Sequence, residues 1–146
     1  MKSDDIRKYL KQWDRWRYKV SDTPAILDRE YADMTVEQFK KFSDFARMDM
    51  GNMLERSKDD IPYAFRPGLF DCDDYALLFQ ALFGLTWMDD SGQDKPAPVF
   101  RCIAETPDGP HAFNIGFTTE GIYFCEPQTG RIWGISEEKP KILAIT

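Results

Sequence analysis

His111-Ala112-Phe113-Asn114-Ile115-Gly116-Phe117 alternates its side chains, so that His111, Phe113, Ile115 and Phe117 share one face of an extended chain. This period of two predicts a strand over 111–118. A second strand over 122–126 follows a turn near Glu120-Gly121, and the pair forms an antiparallel hairpin. Upstream, 99–105 has the same strand character and reaches the histidine run through the turn Pro107-Asp108-Gly109-Pro110. Short strands over 131–135 and 142–145 complete a strand-rich region, 99–146.

The first half reads differently. Ser3 caps a helix with Asp4 and Asp5 in its first turn and Ile6, Leu10, Trp13 and Trp16 or Arg17 at helical spacing. Ser21-Asp22-Thr23-Pro24 ends it. Thr35-Val36-Glu37-Gln38 is a capping box, and it predicts a second helix with Phe39, Phe42, Ala46, Met50, Met53 and Leu54 on its core face. Pro62 and Pro67-Gly68 mark a loop over 57–70. A third helix starts at the N-cap Asp71, carries the stripe Tyr75, Leu78, Phe79, Leu82 and Phe83, and stops at Gly84. Helical residues 1–84 ahead of strands 99–146 predict one α+β domain over 1–146, with N-terminal helices packed on a small antiparallel sheet.

With 146 residues, 42% of them hydrophobic and 14% aromatic, the chain can bury one core. A net charge of -6 argues against a general nucleic-acid binder, since phosphate binding needs a basic surface. No apolar run reaches membrane-spanning length, and the first residues lack a signal-peptide core. Three cysteines, Cys72, Cys102 and Cys125, do not form an even disulfide framework. Reduced thiols in a cytoplasm are the resulting expectation, in a host cytoplasm if a phage encodes the chain.

Cys72 opens the third helix, where unpaired N–H groups and the helix dipole favour a thiolate and can support an oxyanion. His111, the only histidine, can accept the thiol proton. Glu126 alternates onto its face and can hold the second ring nitrogen. A two-residue turn at Glu120-Gly121, however, would pair Ile115 with Glu126 and bring Gln128 nearer His111. Both residues therefore compete for the orienting role. Equally, Cys72 can be a small apolar group beside Tyr75, Ala76 and Phe79, and His111 a core residue. Asp71, Asp73 and Asp74 oppose ionisation of the thiol, and a bound cation would reverse that field. Carboxylates and the Gln128 amide oxygen are hard ligands suited to calcium or manganese, although Asp73 and Asp74 also simply complement the helix dipole. Cys102 and Cys125 read as packing residues.

The segments Cys72-Asp73-Asp74, His111-Ala112 and Glu126-Pro127-Gln128-Thr129-Gly130 resemble papain-like cysteine peptidases. Within that group they are most similar to the calcium-dependent C-terminal domain of mushroom agglutinin-type chimeric lectins and to related small bacterial and phage proteins. The resemblance covers about 60–135 and implies a papain-like or transglutaminase-like fold. It implies a Cys72, His111, Glu126 triad, with Asp73, Asp74 and Gln128 binding an activating calcium ion. The expected function is a calcium-activated cysteine peptidase or related thiol acyl-transfer hydrolase acting on a protein or peptide, which would approach along Tyr63-Ala64-Phe65. The alternative is a non-catalytic protein that binds a host partner on the same scaffold.

Overall fold

The computed structural model describes residues 1–2, 5–6, 30–56 and 71–146. Of the predicted helix from Ser3 only Asp5 and Ile6 are among the described residues, and the break at 21–24, the loop over 57–70 and Tyr63-Ala64-Phe65 lie outside them. Helix α1 spans Val36–Arg56 and α2 spans Cys72–Asp90. Strands β1 (Val99–Thr106), β2 (Gly109–Thr118), β3 (Gly121–Cys125), β4 (Ile132–Gly134) and β5 (Lys141–Ile145) form one antiparallel sheet in the order β4-β3-β2-β1-β5. The α+β class and the helices-on-sheet layering are as expected.

The start of α1 follows its local code: Thr35 Oγ1 accepts from the Gln38 N–H at 3.1 Å, and Gln38 Oε1 accepts from the Thr35 N–H at 2.9 Å. Phe39, Phe42, Ala46 and Met50 are buried, whereas Met53, predicted on the same face, is exposed. Helix α2 does not stop at Gly84. It continues for another turn and a half because Trp87 is fully buried and donates its Nε1–H to the Lys95 carbonyl at 3.0 Å. The terminating glycine is Gly92, at φ +69° just past the Ser91 cap.

Both faces of the sheet are covered. One face gathers Phe100, Phe113, Ile115, Phe117, Phe124 and Trp133 with Ile6 and Tyr31. The other packs Val99 and Cys125 against Phe39, Phe42, Phe79, Phe83 and Trp87. At Gly116 a Cβ would fall 2.5 Å from the Phe39 ring, so the missing side chain lets α1 sit directly on β2. The β2–β3 turn is Thr119-Glu120, one residue earlier than predicted, and Ile115 therefore faces Phe124 instead of Glu126.

Candidate active site

Strand β3 pairs with β2 only over Asn114 to Thr118. The first half of β2 thus has no strand on that side among the described residues, and the start of α2 occupies the opening. The Ala112 N–H donates to Cys72 Sγ at 3.4 Å. Behind it, the fully buried Asn114 donates from Nδ2 to the Ala76 carbonyl at 2.9 Å and to the Phe100 carbonyl at 3.4 Å, fastening the first turns of α2 to the sheet. Asn114 was legible as lying opposite His111, but its bracing role was not. The available signal was an amide inside an otherwise apolar strand, which needs buried partners.

Glu126 is the first residue after β3. Its Oε2 lies 2.5 Å from His111 Nε2, with 14% of the Glu126 side chain and 34% of the His111 side chain exposed. Between Glu126 and Gln128, the structure places the carboxylate on the ring. Gln128 is exposed and contributes its backbone N–H, which donates to Glu126 Oε1 at 3.2 Å. With Nε2 engaged by Glu126, Nδ1 is the ring nitrogen left for a proton from elsewhere. The loop is closed by the Gly130 N–H donating to the Glu126 carbonyl at 2.7 Å and the Glu126 N–H donating to the Arg131 carbonyl at 2.9 Å.

The charges around the thiol are mostly acidic. Carboxylate oxygens of Asp71, Asp73 and Asp74 lie within 4.8 Å of one another. Asp74 Oδ2 accepts from the Asp71 N–H at 3.1 Å, as a helix-start residue should. A hydrogen bond with the Asp71 side chain, then burial, then the Asp71 and Asp74 charges hold the Asp73 carboxyl above the ordinary range. Arg101 Nη1 at 3.8 Å from Asp73 Oδ2 is too distant to reverse this. Oxygen donors of this kind suit calcium. Among the clustered carboxylates Asp71 joins Asp73 and Asp74. Cys102 and Cys125 behave as packing residues: burial pushes the Cys102 thiol up and the Cys125 thiol up to about 12.

No helix among the described residues is long and apolar enough to cross a membrane. No protein-family profile matches the chain, and no curated protein matches it. Solved structures do. A Polyporus squamosus lectin bound to the human-type influenza-binding epitope Neu5Aca2-6Galb1-4GlcNAc is similar at a TM-score of 0.67 and 18% identity, over 97% of this chain and 47% of that one. A PSL1a–E64 complex is similar at a TM-score of 0.72 and 16% identity, over 97% of this chain and 48% of that one. The chain spans about half the length of these lectin chains. The family assignment read from the sequence is corrected by these findings. The neighbours are a sugar-binding lectin, and nothing found supports the labels papain-like, cysteine peptidase or hydrolase. The physical reason is that Cys-Asp-Asp, His-Ala and Glu-Pro-Gln specify a few local geometries, which unrelated scaffolds can share. What this chain has in common with its neighbours is the fold, here two described helices on a five-stranded antiparallel sheet.

Proposed function

We propose that this chain transfers acyl groups through a thiol, with Cys72 as nucleophile, His111 as base and Glu126 as the carboxylate that orients the imidazole. The reading is carried by the 2.5 Å contact of Glu126 Oε2 with His111 Nε2, beside a thiol held at the next backbone amide. The Cys72 proton passes to Nδ1, sulfur bonds to the carbonyl carbon, and the leaving group departs with the proton returned by His111. A second nucleophile then takes the acyl group from sulfur. Backbone N–H groups in the first turn of α2 would stabilise the oxyanion. A protein or peptide carbonyl is the substrate class proposed. A calcium ion on the Asp71, Asp73 and Asp74 oxygens would supply positive charge beside the thiol.

The test is a nitrophenyl ester burst, read together with the mass of the acylated peptide. A burst that acylates Cys72 and disappears in Cys72→Ala and His111→Ala supports the reading, whereas a burst that persists in Cys72→Ala sinks it. The similar lectin structures favour a second reading, a binding protein without catalysis, with carbohydrate as the ligand class. Calorimetric titration with sialylated and neutral glycans decides it, because binding of that kind survives Cys72→Ala. Capture of a host protein partner, the other form of a binding role, would survive it as well.

A further inference from the structure

Arg47 lies on α1, far along the chain from Cys72, His111 and Glu126, and nothing in its surroundings in sequence marks it. Its Nε–H donates to the Pro127 carbonyl at 3.1 Å, the residue directly after Glu126. The guanidinium also fills the space beside Gly130: a Cβ there would fall 3.0 Å from Nε and closer still to two other guanidinium atoms. Gly130 has φ +79°, so glycine both permits the turn and leaves room for the cation. One side chain thus grips the two ends of a short loop. That loop carries the Gln128 N–H that donates to Glu126 Oε1 and the Gly130 N–H that donates to the Glu126 carbonyl.

We infer that Arg47 is a positioning residue for the His111–Glu126 pair: by clamping Pro127 and Gly130 to α1 it sets where the Glu126 carboxylate meets the imidazole. Strand β3 ends at Cys125, so sheet pairing with β2 stops before Glu126. Beyond that point the loop bonds and the Arg47 clamp hold the carboxylate. A planar fork suits this task better than an ammonium, because it can donate to the Pro127 carbonyl from Nε while its other nitrogens reach the space beside Gly130. The consequence for chemistry rests on the acyl-transfer reading above. The placement of Glu126 does not.

Because His111 is the chain's only histidine, its ring gives one set of NMR signals. The experiment compares those signals and the rate of Cys72 alkylation by iodoacetamide in the wild type, Arg47→Met, Arg47→Lys, Glu126→Gln and the Arg47→Met/Glu126→Gln double variant. Arg47→Met keeps the apolar stem and helix propensity while removing every donor. Its His111 signals are expected to move toward those of Glu126→Gln, and Cys72 alkylation is expected to slow about tenfold. In the Glu126→Gln background the same change should alter the rate less than about twofold, since Arg47 acts through Glu126. Arg47→Lys should fall between wild type and Arg47→Met, and it carries the ring comparison if Arg47→Met does not fold. His111 signals unchanged in the variants, or rate losses that multiply in the double variant, overturn the inference. A Cys72 rate that is slow in the wild type and indifferent to His111→Ala removes the acyl-transfer reading instead, and the ring signals still decide the role of Arg47.

Discussion

Cys72 opens α2 and Cys125 closes β3 directly before Glu126, and their surroundings are opposite. Alternation along β3 turns Cys125 into the aromatic layer under the helices, where it is fully buried and its thiol is pushed up to about 12 by burial. Cys72 stands half-buried at the first residue of α2, against the Ala112 N–H. The contrast teaches that nearness in sequence to a carboxylate does little for a thiol. The face it occupies, and whether a donor meets it there, decides its chemistry.

That contrast can be broken directly. Cys72→Ala should lower the ester burst at least about a thousandfold, while Cys125→Ala leaves it within about twofold. Equal losses in both variants would abolish the distinction. Phe83→Ala, in the layer that encloses Cys125, should cost about 3–5 kcal/mol in urea unfolding. Glu126→Gln should slow the burst about a hundredfold with little loss of stability, because the amide keeps the shape but not the charge.

Alkaline titration sharpens the same comparison. The folded Cys125 thiol keeps its proton to about 12, whereas the unfolded thiol loses it near the ordinary 9.0. The unfolded state therefore holds fewer protons in that window, and stability falls as pH rises through it. Urea midpoints measured across the window should fall less steeply in Cys125→Ala, and Cys102 contributes in the same direction. The smallest effect belongs to Asp73. Its folded carboxyl holds a proton above the ordinary 3.8, so the stability it contributes is present below that pH and lost as pH rises past it. Asp73→Asn should flatten that limb of the urea midpoints. If calcium occupies the cluster, calcium should raise the wild-type midpoint at neutral pH more than that of Asp73→Asn.

Much of this was legible, and the failures have causes. Thr35 and Gln38 carry a local hydrogen-bond code, and the α1 start follows it. Gly84 carries only a propensity, and the burial of Trp87 outweighs its cost within α2. The β2–β3 register depended on one turn residue. Thr118 Oγ1 accepts from the Glu120 N–H at 3.2 Å, and this favours Thr119-Glu120 at the tip, a preference that strand patterning does not reveal. Of the candidate site, Cys72 and His111 could be nominated from residue type and position, and Glu126 only alongside Gln128. Ala112, Asn114 and Arg47 could not, because they act through a backbone amide or across long stretches of chain.

The order β4-β3-β2-β1-β5 has a kinetic meaning. The β1–β2, β2–β3 and β3–β4 pairings each join consecutive strands, so each closes over a short loop and can zip quickly. Among the five described strands only the β1–β5 pairing spans a long stretch. The meander can therefore collect His111 and Glu126 early, while Cys72 arrives only when α2 docks. On this route a chain that has folded its hairpins but not seated its helices carries His111 and Glu126 near each other, with neither the Arg47 clamp nor a thiol beside them. Reactivity at Cys72 would then be a late reporter of complete folding.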